Sequence, residues 1–226
     1  MKPETTRVAP DRIAELLAPF LQSPPGPPAS LADAQIEQVL AYLDLLLRWN
    51  ARINLTAVRD PKSIVTRHFG ESFFAARQLL KKQEAGVGSQ GRAIDLGSGA
   101  GFPGLPLKIF APALALTLIE SRQKKAAFLK EVVRTLALTG VDVFAGRAED
   151  FSSTADLVTL RAVERYERAL GVAARLVAPG GRLALLIGSP QAARTPQLLP
   201  ALSWSEPIAI PQSSSRVLLV GTNQTG

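Results

Sequence analysis

The stretch Ala93-Ile94-Asp95-Leu96-Gly97-Ser98-Gly99-Ala100-Gly101-Phe102-Pro103-Gly104 decides the fold. A short apolar run ends in an acid, and four glycines then fall within eight residues, the last preceded by proline. Glycine lets the backbone take positive φ and lets a ligand come close to it. Pro103 and Gly104 suit the turn into a helix, where the fixed φ and missing N–H of proline cost little. The order is strand, glycine loop, helix, the first βα turn of a nucleotide-type α/β domain.

Two cofactors fit the spacing. Gly99-x-Gly101-x-x-Gly104 matches the dinucleotide pattern, and an NAD-dependent oxidoreductase is one class that carries it. Asp95 separates the readings. A carboxylate at the strand tip repels a pyrophosphate, whereas the methionine end of S-adenosylmethionine carries an ammonium and a sulfonium. Asp95, Gly99 and Gly101 are therefore assigned to a site for S-adenosyl-L-methionine.

Composition narrows the class. With no cysteine and a single histidine, His68, the chain has no disulfide framework, thiolate zinc site, cysteine nucleophile or multi-histidine metal centre. No apolar run approaches the ~20 residues of a membrane span, and Met1-Lys2-Pro3-Glu4 lacks the apolar core of a signal peptide. The expectation is a soluble cytoplasmic protein with no metal and no membrane partner. A net charge of +7 favours a polyanionic partner, since Lys and Arg neutralise phosphates. The excess is spread along the chain, so charge alone does not locate a surface.

Three segments are expected. Residues 1–30 hold a helix, with Ile13, Leu16, Leu17, Phe20 and Leu21 at helical spacing, then the Pro24-Pro25-Gly26-Pro27-Pro28 linker. Residues 31–90 form a helical subdomain: Ser30 is the expected N-cap of a helix reaching Trp49, residues 50–60 a loop, and Pro61 opens the next helix. Residues 91–226 form the cofactor-binding domain. Strands are predicted near 92–96, 114–119, 141–145, 155–160, 181–187, 205–210 and 215–221, with helices near 104–110, 122–138 and 165–178. This alternation implies an α/β fold with a mostly parallel seven-stranded sheet. The last two strands have too short a connection for a crossover and are expected as an antiparallel hairpin at the sheet edge.

Charged residues at predicted strand ends are the candidate ligands. Glu120 closes the second strand, where an acid accepts hydrogen bonds from both ribose hydroxyls; a dipole-favoured acid at a helix start is the plainer alternative. Ala148-Glu149 follows the third strand and fits an adenine edge or a helix cap. Arg161 ends the fourth strand at the same rim, as a ligand or in a salt bridge. Lys124 and Lys125 face outward on the helix after Glu120, as a solvated face or an RNA contact. Arg48, Arg52, Arg59 and Arg67 surround Trp49, Asn50 and Asn54, where phosphate contact and base stacking are compatible with the composition; Trp49 also suits a core. His68, among Val65, Phe69 and Phe73, reads as a satisfied histidine rather than a base.

Several segments together resemble one family, the RsmG (GidB) ribosomal RNA small-subunit methyltransferases. They are Leu47 to Pro61 with its Trp49-Asn50-x-x-x-Asn54-Leu55-Thr56 core, Arg67-His68-Phe69 with Glu71-Ser72, Asp95 to Gly104, and Ile119-Glu120-Ser121-Arg122 with Lys124-Lys125. Gly146-Arg147-Ala148-Glu149, Arg161-Ala162 and Pro179-Gly180-Gly181 follow in the family's order. The resemblance implies a Rossmann-like class I methyltransferase fold with an N-terminal helical extension. It also implies methylation of guanine N7 in 16S ribosomal RNA near the decoding centre, on naked RNA or the small ribosomal subunit, by a monomer. By the same resemblance Gly97 and Phe102 line the cofactor pocket with Ser121, Glu120 holds the ribose, and Ala148 and Glu149 border the adenine. Arg161 lies beside the methionine moiety or the guanine and Asn54 at the pocket mouth, and these two are the expected catalytic residues. The family commonly has Lys-Gly where this chain reads Ile187-Gly188, so any role of that lysine in holding RNA or guanine is expected to be absent here or supplied by another base such as Arg165 or Arg182. Guanine N7 attacks through a lone pair with no proton to lose, so in-line alignment matters more than a strong base. A methyltransferase for protein or a small molecule, and a non-catalytic cofactor sensor, are the competing functions.

Overall fold

In a computed structural model, which describes residues 8–22, 24, 28–80, 91–161 and 166–224, the sheet grows outward from β1 (Arg92–Leu96). β2 (Ala115–Ile119) and β3 (Val141–Phe144) lie to one side of it, and β4 (Ala155–Arg161) and β5 (Val177–Gly188) to the other, all parallel. β8 (Arg216–Asn223) pairs antiparallel with β5 and carries both β6 (Leu202–Trp204) and β7 (Ile208–Ala209). The order is β3-β2-β1-β4-β5-β8-β6. Alternate residues feed two cores: Ala93, Leu116, Leu118 and Leu157 on one face, Ile94, Ile119, Val158 and Leu160 on the other. This is the period of two expected of strands with both faces covered.

Two expectations change at the C-terminal edge. The sheet has eight strands, not seven, because the predicted 205–210 strand is replaced by β6 and β7 on either side of Pro207, which has no N–H for the ladder. Helix α8 (Ser189–Leu198), between β5 and β6, was not expected. Its sequence carries Pro190 and Pro196; the first sits in the opening turn, where proline is tolerated.

The N-terminal helices share the first core with the sheet. α1 (Pro10–Gln22) buries Ile13, Leu17, Phe20 and Leu21. α2 (Asp33–Asn50) begins after Ala32, not Ser30, and the Gln35 side chain accepts the Ala32 N–H at 2.8 Å. α3 (Pro61–Ile64) is capped by Asp60, which accepts the Ser63 N–H at 2.8 Å. It runs through a π-helical stretch, Val65–Gly70, into α4 (Glu71–Leu79); such stretches are frequent at functional sites. The linker residues 23 and 25–27 and the connector 81–90 lie outside the described residues.

Between α2 and α3, Asn50 shapes the loop. Its Oδ1 accepts the Leu55 and Thr56 N–H groups at 2.9 and 3.0 Å, and its Nδ2 donates to the Thr56 carbonyl at 3.0 Å. Trp49 is half-buried; Nε1 donates to Glu131 at 2.9 Å, and its ring meets Phe128 edge-on. It therefore anchors α2 to α6 (Gln123–Thr135) and is not presented to a base.

Tyr42 of α2 reaches furthest. Its hydroxyl donates to the Ala100 carbonyl and its ring stacks on Phe102 at 5.3 Å, so an N-terminal helix grips the glycine loop. Gly101 lies in this grip at φ 89°, and a Cβ there would run into the Tyr42 hydroxyl and, at 2.5 Å, Leu105. Gly101→Ala is expected to destabilise the protein by about 2–4 kcal/mol through strain and overpacking, read from urea unfolding. A loss below about 0.5 kcal/mol, the range of an indifferent surface change, would contradict this packing.

Candidate active site

The loop after β1 is held open from two sides. Gly97 and Gly99 take φ of 69° and 55°, conformations that side chains rarely adopt. A Cβ on Gly99 would meet only the Gly97 carbonyl, at 3.7 Å, so the backbone there faces free space. The Gly97 and Ser98 N–H groups donate to the Ile119 carbonyl at 2.9 and 3.0 Å. Glu120, at the end of β2, accepts the Gly99 N–H on Oε2 at 2.9 Å and the Arg122 N–H on Oε1 at 2.7 Å. One carboxylate thus ties the loop to the start of α6.

Asp95 lies beneath this loop and does not line the pocket above it. Thr159 Oγ1 donates to its Oδ1 at 2.6 Å, and Gly104 packs against its Cβ. Oδ2 is buried without a partner. Burial pushes the carboxyl up to about 6, against the opposing pull of Thr159, Ser98, the Gly104 N–H and Arg161.

Above the loop is a cavity of about 870 Å³, over the C-terminal ends of β1, β2, β4 and β5. Ligands in open α/β sheets collect at that edge, and the volume falls within the usual ~300–1,000 Å³ of small-molecule sites. Toward β2 and β3 the lining is Glu120, Ser121, Ala148 and Glu149. Glu149 sits on a 3₁₀ turn, Ala148–Asp150, and its carboxylate accepts from Arg168 at 2.6 and 3.0 Å. Toward β4, β5 and β8 the lining turns basic, with Arg67, His68, Arg161 and Arg216.

At this basic end Arg161 Nη2 donates to Glu71 Oε2 at 2.8 Å and to the Arg67 carbonyl at 2.5 Å. Arg216 pairs with the other oxygen of Glu71. Burial pushes the Glu71 carboxyl up, and the three arginines pull against it. His68 Nε2 lies 2.7 Å from Thr56 Oγ1, and the ring stacks on Phe102 at 5.0 Å. Burial, aided by the Arg161, Arg67 and Arg216 charges, lowers His68 to about 3.

Of the residues expected at the site, Gly97, Gly99, Phe102, Glu120, Ser121, Ala148, Glu149 and Arg161 line the cavity together, with Arg67 and Lys125. Gly101 is turned to Tyr42 and Asp95 is below the floor. Asn54 is exposed just before the lining segment 55–58, its Oδ1 within 3.4 Å of Arg59. Arg48, Arg52, Arg59 and Lys124 are exposed outside the cavity. Arg182 does not stand in for the missing lysine: it pairs with Leu157 near the start of β4, away from the rim, and Nη2 donates to the Leu79 carbonyl at 2.6 Å. Arg165 lies outside the described residues. Sequence reasoning missed Arg216 and gave His68 no place in the pocket; it also missed Glu71, which is buried behind the lining and holds Arg161 and Arg216. The Ile187-Gly188 departure was the available signal for Arg216, because Gly188 and Arg216 are cross-strand partners.

The residues suit S-adenosylmethionine. Positive-φ glycines leave a bare floor, Glu120 lines the cavity with a carboxylate, and Arg161 Nη1 is a buried donor with no acceptor among the described residues. A parallel sheet closed by antiparallel β8, with this pocket over β1, defines the S-adenosylmethionine-dependent methyltransferase class. Solved structures bear out the fold: Pyrococcus horikoshii TYW2 in complex with MeSAdo (TM-score 0.56, 14% identity, covering 70% of this chain and 63% of that one) and a SAM dependent methyltransferase from Aquifex aeolicus (0.51, 15%, 59% and 82%).

The sequence comparisons go further. The family described as rRNA small subunit methyltransferase G matches residues 35–206. Two proteins named ribosomal RNA small subunit methyltransferase G, from Alkaliphilus oremlandii and Xylella fastidiosa strain 9a5c, are each 43% identical, over 126 and 153 residues. These alignments cover 56% and 67% of this chain. They span half of the Alkaliphilus protein's length and 68% of the Xylella protein's. The chain belongs to the rRNA small subunit methyltransferase G family.

Because His68 is the only histidine, its ring gives a single set of imidazole NMR signals. With a folded value near 3, those signals are expected to stay flat between about pH 5 and 8, where a free imidazole titrates. The sign follows for stability. The unfolded chain takes up this proton first as pH falls below the ordinary histidine value, so this group's contribution is full above that value and is lost toward pH 3. Titration near the ordinary value would contradict the burial of the ring.

Proposed function

We propose that this chain transfers a methyl group from S-adenosylmethionine to N7 of a guanine in 16S ribosomal RNA, near the decoding centre of the small subunit. The observation that carries the reading is the pocket itself: Glu120, the bare glycine floor and Arg161 share one cavity in a chain that belongs to the family. When bound, the cofactor supplies an electrophilic methyl on a sulfonium. Glu120 keeps lone pairs for ribose hydroxyls while it holds Gly99, and Ala148 and Glu149 border the adenine. Arg161, fixed by Glu71 and the Arg67 carbonyl, faces the reacting end. His68, held neutral, is a weak base, and N7 has no proton to give up. The rate then rests on alignment within a partly desolvated pocket.

Arg48, Arg52, Arg59, Arg67, Lys124 and Lys125 are proposed to meet the RNA backbone around the mouth, consistent with the net charge of +7. Asn54 joins them as an RNA contact at the rim. The target guanine is unpaired, since a duplex would bury its groove face from a pocket of this depth. Among the described residues no helix is long and apolar enough to cross a membrane; we place the protein in the cytoplasm, acting as a monomer without a metal ion.

Small subunits lacking the modification, incubated with the enzyme and labelled S-adenosylmethionine, are expected to gain label at guanine N7. Label at another atom, or none while the cofactor still binds, would sink the reading. Glu120→Ala is expected to weaken S-adenosylhomocysteine binding by about 1–3 kcal/mol, the worth of charge-assisted hydrogen bonds, as measured by calorimetry. Unchanged affinity would remove Glu120 from the site.

A further inference from the structure

At the β8 side of the pocket the hydrogen bonds do not close. Glu71 carries one arginine on each oxygen, Arg161 on Oε2 and Arg216 on Oε1. Arg161 Nη1, Arg216 Nε and His68 Nδ1 are nonetheless buried with no hydrogen-bond partner among the described residues. Buried polar groups usually find one. Thr56 Oγ1 accepts the Val58 N–H at 3.1 Å and, by donating to His68 Nε2, leaves the ring proton on Nδ1. All three orphaned groups are then donors. With Arg67 beside them, three cations face a single carboxylate, so the end of the cavity is short of negative charge.

Position separates this end from the Glu120 end of the pocket. Arg216 starts β8, four strands from β2, where Glu120 sits; at ~4.8 Å per strand that is about 19 Å across the rim. Arg161 on β4 stands between the two. Arg216 is also the cross-strand partner of Gly188, so β8 delivers a cation to the C-terminal end of β5.

We propose that Arg216 and His68 form an oxyanion subsite that grips a backbone phosphate of the RNA strand carrying the target base, with Glu71 as the positioning residue that fixes Arg216 beside Arg161. This rests on the RNA methyltransferase reading and adds a substrate contact to it. The phosphate oxygens supply the acceptors that the orphaned donors lack, after a small turn of the Arg216 side chain. The cofactor carboxylate is the other oxyanion within the pocket, and the test separates the two.

The probe is inorganic phosphate, added to the whole 226-residue chain saturated with S-adenosylhomocysteine, with the single His68 imidazole observed by nitrogen NMR. A saturable shift of Nδ1 is expected, and Arg216→Gln should weaken that response by about tenfold or more, as for a lost charged hydrogen bond. Its S-adenosylhomocysteine affinity should stay within about twofold, and its KM for small subunits should rise. Arg216→Lys, which keeps the charge, should fall between; it also decides the matter if the glutamine variant does not fold. Three results would overturn the subsite: no phosphate shift in the native protein, a shift that S-adenosylhomocysteine abolishes, or an Arg216→Gln variant that loses cofactor affinity and phosphate response together. The titration needs no methyl transfer. A phosphate response in a protein that does not label guanine N7 would reject the RNA function and leave the anion site standing.

Discussion

Asp95, the penultimate residue of β1, has its carboxylate inside the core, bonded to Thr159 and pressed against Gly104. A buried carboxylate is costly to ionise, and this one is held near 6 with one oxygen unpartnered. Both ends of the glycine loop are set by it: the chain leaves Asp95 into Gly97 and returns over it at Gly104. The Ser98 hydroxyl closes the turn from inside by donating to the Asp95 carbonyl at 2.8 Å. Once the loop is fixed, Gly99 can reach Glu120, Phe102 can stack between Tyr42 and His68, and the cavity has a floor. The same feature that pointed to a methyl donor works from beneath the pocket and not within it.

The pocket is polarised along the rim. Its β2–β3 end is lined by Glu120 and Glu149, and its β4–β8 end by arginines sharing Glu71. A nucleoside with hydroxyls to donate suits the first end and an anionic strand the second. The N-terminal helices belong to this division of labour. Tyr42 grips the loop from one side, and the rod from α3 to α4 delivers Arg67, His68 and Glu71 to the basic end. Asn50 and Trp49 fix the loop and helix from which Thr56 reaches His68.

Much of this was legible in the sequence. The strand–glycine–helix turn, the parallel order and the pocket-lining positions at the ends of β2, β3 and β4 follow from local patterns with few physical solutions. What escaped depended on contacts between distant segments. Asp95 reads the same whether its carboxylate faces up or down, and only the packing of Gly104 and Thr159 decides. Gly101 fits a cofactor loop by spacing, yet its need for glycine comes from Tyr42, 59 positions earlier in the chain. Arg216 opens β8 just after a serine-rich run with no motif of its own, and only the register of β5 with β8 and the packing of α4 bring it to Glu71. Two prolines concealed α8 because composition does not say which turn of a helix they occupy.

The most direct test of Asp95 as the support of the loop compares two ligands on one variant. Asp95→Asn should be titrated by calorimetry with S-adenosylhomocysteine and with adenosine, which lacks the amino-acid end. If Asp95 acts through the loop and Glu120, both affinities fall by similar factors. If instead only S-adenosylhomocysteine weakens and adenosine binds as before, Asp95 contacts the ammonium directly and its buried placement is contradicted.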